Sequence, residues 1–159
     1  MESVNNFQNK FGMSTYVVAR VLIGLFFTIT GFNKLFHPIF QERMLNTISK
    51  IGFPYPQFTA NFTATFECIF GLFLLIGLFT RISSAGLIII ILVALISHDL
   101  NSIPKELLPS LDGGKIYPMD PFTWLSYFLY LPQVLYLLLL FIFLGYGYGK
   151  VGFDRYFQK

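Results

Sequence analysis

The sequence predicts an all-α membrane protein, a bundle of four transmembrane helices, on three observations. Of its 159 residues 55% are hydrophobic and only 12% charged, about half the charge of an ordinary globular domain. The mean hydropathy is +0.64. Apolar runs long enough to cross a bilayer recur four times, at about 14–36, 58–79, 82–98 and 124–147. So few charged groups cannot solvate a surface of this size. Four spans of about 20 residues take up about half of the chain, leaving a single membrane domain over 1–159 with outer loops at 37–57 and 99–121. A closed β-barrel would also satisfy backbone groups in lipid, but its strands must alternate apolar with polar residues. The run LIIIILVALI at 87–96 does not alternate.

The first span follows Lys10 and continues for some 20 residues without a small-residue cleavage site, so it reads as an uncleaved helix rather than a signal peptide. The loop after it carries Glu42, Arg43 and Lys50 and ends in GFPYPQ, where Pro54 and Pro56 forbid a helix. Spans two and three are separated by a turn of a few residues around Thr80-Arg81 and form an antiparallel hairpin. A polar loop containing Asp112-Gly113-Gly114-Lys115 leads to the fourth span, which Pro132 kinks. Trp124, Tyr127 and Tyr130 form an interfacial belt on that span, and Gly145 with Gly149 have helix-packing spacing. The glycine-rich, then basic, tail is an exit from the bilayer.

Lys10, Arg81, Lys150, Arg155 and Lys159 fall on the side of the termini, with Arg43, Lys50, Lys105 and Lys115 opposite in longer loops. Basic residues in short segments mark the cytoplasmic side, so both termini are expected there. The net charge of +3 comes from basic residues scattered singly, with no stripe to track phosphates, which excludes a nucleic-acid partner. Cys68, the single cysteine, can close no intramolecular disulfide and belongs to no CxxC motif, against a self-contained thiol-disulfide enzyme. Two histidines, His37 and His98, do not make a metal site.

Arg20, Lys34 and Glu67 lie inside apolar runs, where each charge costs about 2.5–3.5 kcal/mol near a helix centre and must face the bundle or an interface. Arg20 and Lys34 differ by about 40° around their helix, with Gly24, Phe27 and Gly31 on the same stripe. Measured from the cytoplasmic end, Arg20 lies at about 9 Å, Glu67 at about 16 Å and Lys34 at about 30 Å. This spacing predicts an Arg20–Glu67 pair near the midplane, with Lys34 at an outer mouth beside His98 and Asp99, and with His37 close by. Such a pair can serve register alone or a ligand-, proton- or electron-linked role; the second is the preferred reading. Lys34 can equally snorkel to the interface. Arg81 reads as a topology anchor and Cys68 as a small buried filler.

Arg20 followed by LIGLFFTITGFNKL, then GFPYP, then FECIFGLFLLIGLFTRISSAGLIIIILVALISH, and finally GYGYGKVGFDR, resemble in order the signature blocks of the DoxX family of four-span membrane proteins. The resemblance covers about 16–155. It implies a redox-linked membrane protein, since the family is named for the small subunit of a thiosulfate:quinone oxidoreductase. It also puts Arg20, Lys34, Glu67, Arg81 and His98 at the positions of the family's polar motif residues.

Three functions follow as expectations. In the first, the chain is a redox-associated accessory subunit of a bacterial cytoplasmic membrane, and a quinone head group enters between the spans to meet Glu67, Arg20 or His98. The sequence has no covalent cofactor site, no iron–sulfur cysteines and no dinucleotide fingerprint, so electrons come from a redox partner protein or from the ligand itself. That favours an accessory over an autonomous enzyme. The second is a carrier of a small lipid or metabolite, which at this length would work as a homo-oligomer. The third is a scaffold recruiting soluble redox partners through Glu106, Asp112 and Asp120 of its outer loops.

Overall fold

The structure, a computed structural model, describes residues 2–107 and 117–147. Helix α1 (Glu2–Phe36) is followed by α2 (Pro38–Ile51), α3 (Pro56–Ile76) and α4 (Thr80–Ala94). A π-helical turn, Leu95–Asp99, carries α4 on into the short α5 (Leu100–Ser102). After a two-residue antiparallel ladder of β1 (Glu106–Leu107) with β2 (Tyr117–Pro118) come α6 (Pro121–Tyr130) and α7 (Pro132–Tyr146). Among the described residues three helices are long and apolar enough to cross a membrane, Phe11–Phe36, Pro56–Ile76 and Thr80–Ser102, and the bent α6–α7 pair is apolar enough to add a fourth when taken together as one broken span. The protein is an all-α integral membrane bundle.

Glycines set the closest contact in it. Antiparallel α1 and α3 pack so tightly that a Cβ on Gly31 would lie 2.5 Å from the Cys68 backbone nitrogen, one on Gly71 2.5 Å from that of Thr28, and one on Gly24 2.7 Å from the Leu75 Cα. Only the absence of a side chain lets two backbones approach so far. A core of Ile23, Phe27, Leu74, Leu87, Ile88, Ile91, Leu140 and Phe143 joins α1, α3, α4 and α7, while large apolar side chains such as Leu22, Ile82 and Leu138 point outward, as a lipid-facing surface requires. Gly145 has nothing within 4 Å of its Cβ position, so it is no packing glycine; Gly149 and the basic tail lie outside the described residues.

Three differences from expectation have local causes. Residues 37–57, expected as a loop, contain the 14-residue α2. Pro38 at its first turn is compatible with helix. Phe40, Met44, Ile48 and Ile51 recur at helical spacing, and Gly52 caps the helix in a left-handed conformation (φ 82°). The prolines of GFPYPQ end this helix and open α3 rather than holding an extended loop. The tight turn between spans two and three sits at Gly77–Phe79, where Gly77 adopts φ 72° and the Leu78 amide donates to the Phe73 carbonyl at 2.8 Å, so Thr80 and Arg81 already belong to α4. Span four is broken, not merely kinked. Leu131, preceding Pro132, is extended (ψ 122°), and α6 and α7 meet at 63°. Trp124, Tyr127 and Tyr130 are all exposed on α6.

Asp120 caps α6, its Oδ2 accepting from the Phe122 and Thr123 amides at 3.2 and 3.1 Å. The Thr123 hydroxyl, donating to Oδ1 at 2.5 Å, together with these amides holds the Asp120 carboxyl below its ordinary range. A carboxylate whose value is lowered by folding contributes stability above its unfolded value, about 3.9, and loses it as pH falls further. Exchange at the Phe122 and Thr123 amides, corrected for intrinsic rates, should therefore accelerate as pH drops below about 4. In Asp120→Asn that dependence should vanish, because the amide oxygen caps without titrating; an equal pH response in both proteins would show that the cap is not formed.

Candidate functional site

Glu67 stands in the middle of α3, is 3% exposed, and both its oxygens are engaged. Oε2 accepts from Lys34 Nζ at 2.6 Å and Oε1 from the Thr30 hydroxyl at 2.8 Å. The partner is Lys34, not Arg20. The glycine contacts explain the correction. They set Gly24 against Leu75, Thr28 against Gly71 and Gly31 against Cys68, and the same register carries Glu67 to the turn of α1 between Thr30 and Lys34. Arg20 instead meets α3 at its far end, where its guanidinium nitrogens lie over Gly77, at 2.6 Å from a Cβ position there. Ten residues of helix, about 15 Å, separate Gly77 from Glu67. Depth alone put Arg20 and Glu67 within reach; side-chain direction and the helix–helix register separate them.

The described polar residues thus divide between two levels. At the turn end, Arg20 is 2% exposed. Tyr16 donates to the Gly147 carbonyl, and Arg81 Nη2 donates to the Gly145 carbonyl at 3.3 Å, placing a cation at the last turn of α7, where a helix favours one. Arg81 therefore also ties α4 to α7. At the other level lies a cavity of about 460 Å³, and Lys34, Glu67, His98 and Asp99 all line it. Its remaining walls are mostly apolar, from α2, α3 and α4. This volume is in the range of small-molecule sites, which combine apolar walls with a few convergent polar groups.

Among the four, His98 and Asp99 are paired, Nδ1 to Oδ1 at 3.0 Å. The π-turn that holds them interrupts the regular α4 pattern, and such turns are frequent at functional sites. Asp99 Oδ2 is buried without a hydrogen-bond partner among the described residues, as is Oε1 of Gln133, another lining residue. His37 lies elsewhere: it precedes α2, is exposed, and its ring meets Phe40 edge-on. Cys68 is free, with its backbone against Gly31.

Sequence reasoning missed three contributors. Thr30 is one turn before Lys34 on the same face of α1, and that spacing was the available signal. Gln133 and Tyr136 are the two side chains with a polar group in PQVLYLLLLF. The cavity-facing residues of α2, namely Met44, Thr47, Ile48 and Ile51, carry no signal in mean hydropathy, because charged residues are interspersed among them.

A family model for DoxX matches residues 15–99, more than half of the chain. The protein belongs to the DoxX family. The matched segment of this DoxX chain contains α2, α3 and α4, and with them Lys34, Glu67, His98 and Asp99; of the polar residues lining the cavity, only Gln133 comes from beyond it. Comparison with curated proteins and with solved structures returned no match.

Proposed function

We propose that this DoxX-family protein is a redox-associated accessory subunit that holds a quinone or phenolic head group in the cavity beside Lys34 and Glu67. The observation that carries the reading is the ion pair of the partly exposed Lys34 with the buried Glu67, both lining a largely apolar cavity. Intramembrane charges are expensive and collect where a polar group must be met. The lining fits a quinone head: the Lys34 ammonium has N–H donors beyond the one given to Glu67, the His98–Asp99 pair offers a group able to exchange protons, and the apolar walls suit a ring. Lys34 would donate to a carbonyl oxygen, with Glu67, itself held by the Thr30 hydroxyl, keeping the ammonium in place. Bound quinone would supply the capacity to take up electrons delivered by a partner protein. The membrane would be a bacterial cytoplasmic one, with both termini on its cytoplasmic side.

Native mass spectrometry with lipid extraction of the gently purified protein tests this. The expected result is a co-purifying quinone that is lost in Lys34→Met and reduced in Glu67→Gln. A different small metabolite, lost in the same variants, would favour a carrier instead. The broken α6–α7 span supports that second reading, because discontinuous helices line many transport sites and Gln133, just past the break, is in the wall. Soluble partners co-purifying with an empty cavity would favour a scaffold.

A further inference from the structure

We infer that the cavity is loaded sideways from the bilayer, through a slot between α3 and α4, by an amphiphile whose polar head meets the Lys34–Glu67 pair and whose apolar chain stays in the slot. The inference rests on reading the cavity as a ligand site and adds the class of ligand and its route. Near their connecting turn α3 and α4 are in close contact, with the Phe70 ring packed directly on Gly86. Further from the turn the cavity lies between them. There Phe62 of α3 and Ile89 and Val93 of α4 line the cavity and are also 53%, 63% and 43% exposed. Cavity wall and outer surface are therefore continuous at these three side chains.

Depth decides what they meet. Ile89 is nine residues into α4 from Thr80, about 14 Å, and Phe62 is fourteen residues from the turn end of α3, about 21 Å, so both fall within a hydrocarbon core of about 30 Å. The slot opens onto acyl chains. Another wall is α2, whose Met44, Ile48 and Ile51 line the cavity, with Ile48 buried. A ligand with an alkyl or isoprenoid chain reaches the cavity through the slot without leaving lipid.

The test uses the full-length protein in lipid nanodiscs and a decyl-chain benzoquinone with a photoreactive diazirine at the chain end, read out by peptide mass spectrometry. Label should concentrate on the α3 and α4 peptides containing Phe62, Ile89 and Val93. Val93→Trp, a change at an exposed position that crowds the slot, should reduce it about fivefold or more, the cost of one overpacked side chain, while Val93→Ala retains it. Lys34→Met should abolish it. Label lost in Lys34→Met but found on α2 and indifferent to Val93→Trp would overturn the lateral route and leave the cavity reading standing. Label spread evenly over all spans, or unchanged in Lys34→Met, would overturn both.

Discussion

Lys34→Leu is expected to lower stability by roughly 3 kcal/mol, near the low end for breaking a buried pair, because Lys34 itself is partly exposed while Glu67 is not. The loss arises from the carboxylate left behind: its Oε2 loses a donor 2.6 Å away, and only the Thr30 hydroxyl remains on Oε1. Glu67→Leu should cost less, about 1–2 kcal/mol, since the Lys34 ammonium can turn toward the open part of the cavity. The double variant Lys34→Leu/Glu67→Leu should return to within about 1 kcal/mol of the parent, because two charges removed together leave neither one unpaired. Thermal unfolding in detergent measures all three. The same cycle run with Arg20→Leu and Glu67→Leu should be additive within about 0.5 kcal/mol, as for groups well separated in space. Strong coupling to Arg20 and none to Lys34 would refute the register described above.

The second large effect is expected at the α1–α3 contact. Gly31→Ala and Gly71→Ala each insert a methyl group 2.5 Å from a backbone nitrogen of the facing helix, and backbone cannot rotate away as a side chain can. Each should cost about 3 kcal/mol or more, overwhelming the helix-propensity gain of up to about 1 kcal/mol that alanine brings. Gly12, on the same helix with nothing within 4 Å, is the internal control: Gly12→Ala should be neutral or stabilising. Because this contact also aligns Lys34 with Glu67, the Gly31 variant should weaken ligand retention as well as lower the unfolding temperature. If Gly31→Ala unfolds no earlier than Gly12→Ala, the close approach of the two helices does not exist.

How far the sequence could be read differs from residue to residue. Hydropathy is summed over a window of about 20 residues, so the existence and order of the crossings survive small errors at either end, and the membrane assignment follows from it, while the family follows from the order of short residue blocks. Pro132 announced a disturbance in the fourth crossing, because a proline removes a donor wherever it stands, but not the 63° angle, which α7 adopts in packing against α4. α2 was hidden because its apolar residues alternate in groups with Glu42, Arg43 and Lys50. It is an amphipathic helix, and mean hydropathy averages such a pattern away.

The sequence by itself determined that the chain lives in lipid, that it crosses several times as helices, and that Arg20, Lys34 and Glu67 must face the bundle or an interface. Each of these follows from local chemistry: desolvation of charge and the 3.6-residue period act on a segment regardless of its neighbours. Which cation meets Glu67 was decided only by tertiary structure. That choice depends on how far α1 slides along α3, and the slide is set where Gly24, Gly31 and Gly71 let the two backbones touch. The same register leaves Arg20 at the turn end and draws Lys34, Glu67, His98 and Asp99 around one cavity. A shift of one helical turn, about 5.4 Å, would place a different turn of α1 opposite Glu67.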